Sequence, residues 1–380
     1  MQHRVLLAFA AMGVVACHDP SSPTAADPAP NFGKAGAGGI TITPIGPAKG
    51  GSQAEDVNDD GQVAGWTGAP GISPSRAFLW TPAQSRGTVG SLQDLGTLGG
   101  PSAHAWALNN RGHVVGGTGD AGMVGRAFLW TQTGGMQDLG VSNGWAGAWA
   151  KDINESGQVV GTAVTDLGQR AVLWTVSVDA GGVLQVLGRE SLGTLPDGGS
   201  SVAFGMNNLA QVVGYAYYPA SGPNRAVLWT RTATGWMIED LGMLPGDHGS
   251  TAYGINDQGQ VVGVSMPQQG CFHAVLWTTQ GGKLTGMRAL ETPGGCTAEA
   301  WAINNQSQVV GRLLNNGRTE AAMWTLAADG STASIKNLGR LSGTASSLGM
   351  GVSASIGGIT QVSGLSRAAW DDRATLWTVR

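Results

Sequence analysis

The sequence predicts an all-β chain folded as a seven-bladed β-propeller of four-stranded antiparallel blades. Three observations predict it. A motif, Ala-x-x-(Ile/Val/Leu)-Asn-x-x-Gly-Gln-Val-Val-Gly followed by Ala-x-Leu-Trp, recurs seven times, its Trp falling at Trp80, Trp130, Trp174, Trp229, Trp277, Trp324 and Trp377, 44 to 55 residues apart. Each unit divides into four short runs of strand character, whereas a β-helix rung is usually about half that length. Finally, the seventh unit stops after its third run, while residues 40–46 (Ile-Thr-Ile-Thr-Pro-Ile-Gly) ahead of the first unit read as an unused fourth. If that N-terminal segment completes the last blade, the ring closes by backbone hydrogen bonds and leaves no free sheet edge.

The four runs follow in order. The first leads into a turn Asn, as in Ala105-Trp106-Ala107-Leu108, with the Asn at Asn58, Asn109, Asn154, Asn207, Asn256 and Asn304. Asn-Asp-Asp-Gly, Asn-Glu-Ser-Gly and Asn-Asp-Gln-Gly then carry the chemistry of a tight hairpin. The second run is Gln-Val-Val-Gly, the third Arg-Ala-Phe-Leu-Trp, and the fourth ends in Asp-Leu-Gly at Asp94, Asp138 and Asp240. The seventh unit has Ser353 in place of the Asn and about four extra residues before Gln361. Four positions before the Asn the residue is always tiny (Ala54, Ala105, Ala150, Ala203, Ala252, Ala300, Gly349). Three before it, the residue is large: Glu55, Trp106, Lys151, Phe204, Tyr253, Trp301, Met350. Small and large residues are expected to interdigitate between neighbouring blades.

Composition agrees with a turn-rich β domain. Of 380 residues, 42% are hydrophobic, 12% are charged and 63 are Gly, a balance that suits short strands joined by tight turns. A net charge of −4 and no run of Lys or Arg argue against a nucleic-acid partner.

The N-terminus reads as a targeting device. Met1-Gln2-His3-Arg4 precedes an apolar stretch, 5–15, too short to span a bilayer. Val14-Val15-Ala16-Cys17 resembles the lipobox of bacterial lipoproteins, which implies a signal peptide over 1–16 and lipidation of Cys17; a plain secretory peptide or an unprocessed anchor is the alternative. His18, rather than Asp, follows the cysteine, which favours the outer membrane or cell surface. Residues 17–39, rich in Pro, Ala and Gly, form a flexible linker, and 40–380 the propeller.

The units resemble the HAF family of probable extracellular repeats of bacteria, over about residues 40–380. The likeness rests on Asn-x-x-Gly-Gln-Val-Val-Gly, on Asp94-Leu95-Gly96-Thr97-Leu98-Gly99-Gly100, on Arg-Ala-Phe-Leu-Trp, and on His273-Ala274-Val275. It implies an exported repeat domain and names no reaction.

No catalytic motif stands out: there is no Gly-x-Ser-x-Gly, no His-Glu-x-x-His and no phosphate-cradling loop. Cysteine is too sparse for structural zinc, and no cofactor is expected. With Cys17 lipidated, Cys271 and Cys296 remain in an oxidising compartment. Both fall in loops on one face of the ring, so a disulfide is expected, two free thiols being the alternative. That face also collects departures from the repeat: Trp145 and Trp149 entering unit three, Tyr217 and Tyr218 in a loop of unit four, and Asp247-His248 entering unit five. Aromatics beside carboxylates suit a glycan or peptide site, unless long loops bury their own rings. Glu55-Asp56 and Lys151-Asp152 place charges where they can line the central channel, as solvated groups or a structural ion pair, a catalytic role being the alternative. The expected function is a monomeric, lipid-anchored binding or scaffold module at the cell envelope for a glycan, peptide or protein. The competing expectation is a propeller hydrolase or lyase acting on an extracellular polymer, with Asp247 and His248 among its acid and base.

Overall fold

The computed structural model describes residues 39–47, 50–68, 74–119, 125–196, 198–217, 222–293, 297–315, 317–368 and 372–380. Among them, 28 strands form seven four-stranded antiparallel sheets, and there is no helix. Blade 3 shows the plan: Trp145–Ile153 is innermost, followed outward by Gln158–Thr165, Gly168–Val178 and Leu184–Ser191. The innermost strands of blades 1 to 7 are Ser52–Val57, Ser102–Leu108, Trp145–Ile153, Ser201–Met206, Gly249–Ile255, Ala298–Ile303 and Ser346–Val352. Each packs on the next and the last packs on the first, so the blades surround an axis.

The ring closes as the chain ends predict. Blade 7 takes its outermost strand from the N-terminal side: Ile40–Pro44 pairs antiparallel with Asp372–Val379, Ile40 opposite Val379 and Pro44 opposite Thr375. Ile40 and Ile42 pack on the core between blades 6 and 7, while Ile45 is buried between blades 7 and 1. One short segment therefore stitches both sides of the last blade.

Seven buried clusters hold the blades together, one per interface. The recurring Trp sits at the centre of each: Trp174 joins Ile153 and Val159 of its own blade to Ala107, Val115 and Leu129 of the preceding one. Its indole N–H donates to the carbonyl of Gly140, just past the preceding blade's outer strand (3.3 Å); Trp324 and Trp377 do the same to Glu291 (2.9 Å) and Gly339 (3.2 Å). The Arg of Arg-Ala-Phe-Leu-Trp reaches the Asp of Asp-Leu-Gly on the adjacent strand, as Arg76–Asp94, Arg126–Asp138 and Arg225–Asp240. These pairs are half-exposed, so each contributes at most about 1 kcal/mol. Their Asp also accepts the N–H two residues on, as Asp138 does from Gly140 at 2.8 Å, and so shapes the exit from the blade.

The turn Asn does more than make a hairpin. In blade 3, Asn154 Oδ1 accepts the N–H groups of Ser156 (3.1 Å) and Gln158 (2.9 Å), and its Nδ2 donates to Gln158 Oε1 (2.8 Å) and to the Asn207 carbonyl of the next blade (3.3 Å). Both ends of the amide are thus fully used in a buried position, a set that neither Asp nor Ser can supply. The inter-blade link repeats from Asn58 to Asn109, Asn109 to Asn154, Asn207 to Asn256, Asn256 to Asn304 and Asn304 to Ser353, at 2.8 to 3.2 Å.

The ladder stops at blade 7, where Ser353 is too short to reach blade 1. Arg86, in the turn between the third and fourth strands of blade 1, takes over. Its guanidinium donates to the Asp59 carbonyl on one side (2.7 Å) and, on the other, to Ser353 Oγ (3.1 Å) and the carbonyls of Ala354 (2.9 Å) and Ile359 (2.5 Å). First-to-second and third-to-fourth turns therefore share one face of the disc, the Asn face. The second-to-third loops and the connections between blades lie on the other.

Candidate functional site

The large residues three before the turn Asn do not interdigitate between blades. In every innermost strand the pairing register slips at that residue, as between Ala54 and Asp56, Ala105 and Ala107, or Ala150 and Asp152. The slip is a β-bulge, which breaks the two-residue alternation and re-aims the side chain. Glu55, Trp106, Lys151, Phe204, Tyr253, Trp301 and Met350 are all part-buried, between fully buried Ala or Gly at the position before and small or backbone-bonded residues at the position after. They turn inward and line the axial channel, and contacts between them run around it. Phe204 and Tyr253 have centroids 5.4 Å apart, and Tyr253 and Trp301 6.3 Å. Interdigitation is left to the Ala column, every member of which is at 0% exposure.

Around this belt, toward the face opposite the turn Asn, further rings gather. On one side Trp66, from the second strand of blade 1, lies 4.8 Å from His104, which stands edge-on to Trp106 at 6.0 Å. Trp149 packs beside Trp106 over Gly117, where a Cβ would come within 2.4 Å of one ring and 2.9 Å of the other. A glycine there is what allows the two indoles to meet. On the other side Phe204 meets Tyr215 at 5.8 Å, and Tyr215 meets the exposed Tyr217 at 5.3 Å.

The charges expected in the channel are there, and burial governs them. Lys151 Nζ sits 3.5 Å over the Trp106 ring, a cation–π contact in a desolvated setting. Burial pulls its ammonium down to about 8, against the opposing pull of Glu55. Glu55 accepts from Trp66 Nε1 at 2.9 Å, yet burial pushes its carboxyl up to about 7. Asp56 and Asp152 act as backbone clamps: each accepts from the N–H that follows it (2.8 and 2.7 Å) and from the innermost strand of the next blade, at Leu108 (3.1 Å) and Met206 (2.7 Å). Burial raises them to about 6 and about 7, with their mutual repulsion adding to Asp152. In the remaining blades Ala or Gly takes this place; a Cβ on Gly351 would lie 2.7 Å from Asp56 Oδ1. His104 shares a 2.6 Å hydrogen bond with buried Ser75, and burial pulls its imidazole down to about 4, so it is neutral at ordinary pH.

The structure distributes the sequence-expected site residues unevenly. Trp149 and Tyr217 join the mouth of the channel. Trp145 instead packs edge-on against the repeat Trp174, centroids 5.8 Å apart, at the margin of the core between blades 2 and 3. Asp247 is closed off: its side chain is 4% exposed and its Oδ2 pairs with His273 Nδ1 at 2.9 Å. His248 is exposed beside it and donates its backbone N–H to Met266. Cys271 is disulfide-bonded. Cys17, Tyr218 and Cys296 lie outside the described residues, as do the expected signal peptide and nearly all of the linker. Trp66, His104, Tyr215, Tyr253 and Trp301 complete the mouth. The sequence carries a small–large pair before each turn, followed by Ala or Gly except at Asp56 and Asp152, but the pattern does not say that the large residue is aimed at the axis.

No three or more His, Cys, Asp or Glu side chains cluster as a metal site among the described residues. No family model and no curated protein matches the chain. Solved structures do. A structure described as the Dos1 propeller aligns with TM-score 0.51 and 11% identity over 88% of this chain and 94% of that one. TolB from Acinetobacter baumannii aligns with TM-score 0.44 and 13% identity, over 73% of this chain and 64% of its own length. A protein of unknown function from Dyadobacter fermentans aligns with TM-score 0.45 and 9% identity, over 90% and 100%. At such identities the likeness to the Dos1 propeller is one of fold alone: this chain is similar to a known propeller in architecture.

Proposed function

We propose that the chain is an exported, lipid-anchored, monomeric binding module of the cell envelope, and that its ligand is a glycan held at the mouth of the channel. The single observation that carries this reading is the wall of the mouth: rings from six blades, Trp66, Trp106, Trp149, Tyr215, Tyr253 and Trp301 among them, set around one axial opening with half-buried polar groups between them. Aromatic faces take the apolar faces of sugar rings, and Glu55, Lys151 and His104 stand among them to take hydroxyl groups. The repeat resemblance, the lipobox-like Cys17 and the absence of a basic run in the sequence accord with an exported protein that does not bind nucleic acid. No cofactor enters this reading.

Calorimetric titration of the full-length protein with neutral β-glucan, chitin and mannan oligosaccharides tests it. Tyr217→Ala and Trp149→Ala are expected to weaken binding about tenfold each, the loss of one stacking face or roughly 1.4 kcal/mol, while Trp145→Ala leaves it within twofold. Saturable binding that survives both substitutions would remove the mouth as the site. Binding of peptides alone would replace the glycan. In cells, Cys17→Ser is expected to shift the protein from membranes to the soluble fraction; unchanged retention would contradict the lipid.

A second reading, a hydrolase or lyase of extracellular polymer, draws on Glu55. A carboxyl pushed up to about 7 is a workable general acid, and it faces the same channel. Turnover of a bound oligosaccharide, abolished by Glu55→Gln, would favour it over a binding module.

A further inference from the structure

We propose that a second cavity, between blades 6 and 7 on the face that carries the mouth, binds the carboxylate of an acidic sugar. Its role as a subsite of the mouth rests on the glycan reading above; its preference for the acid does not. The cavity has a volume of about 360 Å³, and Arg312, Arg318, Arg340 and Arg367 stand in its wall with Thr344 and Ser346. That size lies at the small end of the range of roughly 300–1,000 Å³ for small-ligand sites.

The arrangement of charge says what it takes. Three of the four arginines are fixed from behind by carboxylates that do not line the cavity. Arg312 pairs with Glu299, whose side chain is 8% exposed and which also accepts from Trp301 Nε1 at 3.0 Å. Arg340 is held by Glu320 (2.8 Å) and by the carbonyl of Thr344 (2.8 Å). Arg367 forms a two-pronged pair with Asp372 at 2.9 and 3.0 Å, the Asp side chain being 9% exposed. A guanidinium has five N–H groups, so each of these pairs leaves donors over. The Nε of Arg312 is buried with no hydrogen-bond partner. Arg318 is exposed and has no partner among the described residues. Four cations against three carboxylates, Glu299 and Asp372 buried and Glu320 partly so, leave one positive charge, presented as planar forks whose geometry matches a carboxylate. The hydroxyls of Ser346 and Thr319 and the open edge at Gly317 leave room for a polar ring to carry it.

The cavity is also joined to the mouth. The Arg312 guanidinium lies 6.0 Å from the Trp301 ring, which ends the arc that begins at Phe204. A sugar stacked at Trp301 would therefore direct a substituent toward the arginines. An acid on a sugar ring, rather than a free inorganic anion, is the ligand that uses both features.

Titration of the full-length protein with D-galacturonate and with the neutral methyl galactoside of the same size reads the cavity by itself. Galacturonate is expected to bind at least tenfold more tightly. Arg318→Ala, at an exposed position that supports no other residue, should remove that preference, and Arg318→Lys should restore only part of it. Equal affinity for the two sugars, or an Arg318→Ala protein within twofold of wild type, would overturn the proposal. So would inorganic sulfate binding as tightly as galacturonate, since the site would then have no use for the sugar. Tetragalacturonate separates the two readings. If it binds more tightly than the monosaccharide and loses that gain in Trp149→Ala, both stand. If it binds no better than galacturonate while Arg318→Ala still abolishes the acid preference, the cavity stands and the mouth fails. If tetragalacturonate and its methyl ester bind equally, the mouth stands and the cavity fails.

Discussion

Deletion of residues 1–46 is expected to destabilise the ring by about 5 kcal/mol and to collapse soluble yield, whereas deletion of 1–38 leaves its melting unchanged. The difference is one strand. The longer deletion removes Ile40–Pro44 from the edge of Asp372–Val379, together with the Ile45 N–H bond to the Ala374 carbonyl at 3.0 Å. It withdraws Ile45, 6% exposed, from the core between blades 7 and 1 and uncovers the core between blades 6 and 7 where Ile40 and Ile42 packed. Burying one such side chain contributes about 1.5–3 kcal/mol, and partial burial about half as much, which gives the total. The loss of solubility has a separate cause, because a bare outer strand presents unpaired N–H and C=O groups to other chains. Thermal melts and size exclusion of the two deletions measure both effects. A 1–46 deletion that stays monomeric and melts with the 1–38 deletion would mean that the segment is an ornament and the ring closes without it.

Arg86→Ala is the second large effect, expected to cost about 3 kcal/mol. Hydrogen bonds to a charged group are worth about 1.5–3 kcal/mol each. Arg86 makes four, to Asp59, Ser353, Ala354 and Ile359, and partial exposure lets water recover some of them after truncation. Unfolding entropy of about 2.1 cal/mol/K per residue over roughly 340 residues converts this into a fall in Tm of about 4 °C. Backbone strain supplies an internal control. Arg86 has φ of +60°, a region costly for any residue with a Cβ. Arg86→Gly therefore loses the same bonds but relieves about 1 kcal/mol, and should melt between wild type and Arg86→Ala. Lys at this position cannot span both sides of the junction and should recover less than half. An Ala variant melting within 1 °C of wild type would show that the guanidinium adds nothing to the core and the remaining hydrogen bonds, such as Ala354 N–H to Asp59 Oδ1 at 2.7 Å, that join blades 7 and 1.

The parts of this molecule that were legible in the sequence are those that do the same job in blade after blade. Asn154 uses all of its amide in the way Asn58 and Asn256 do, and Trp174 plugs the same kind of interface as Trp324, so the repetition carried the meaning. The blade count, the strand order and the closure by 40–46 followed from it. The aromatic lining of the channel was hidden, although its charges were not, because one extra residue in each innermost strand inverts the direction of a side chain, and a bulge leaves no mark on the spacing of the hydrophobic residues. Strict alternation therefore sent Trp106 and Tyr253 between blades when they belong to the axis. The burial of Asp247 was out of sight for another reason: its partner is His273, 26 residues away, and nothing local to Asp247 announces the pair. Arg86 and the arginines of the second cavity were out of reach too, since each acquires its role from partners supplied by other elements. A missing Asn at Ser353 was the one clue that the ring needed another fastener there.

The closure of the last blade also fixes the pole at which the first strand begins. Ile40 starts its strand opposite Val379, and Arg380 N donates to the Gly39 carbonyl at 2.8 Å, so the chain enters the ring on the Asn face. The mouth and the arginine cavity open on the opposite pole. At Gly39 the chain therefore stands at the pole opposite both openings, the full length of a blade strand away from them.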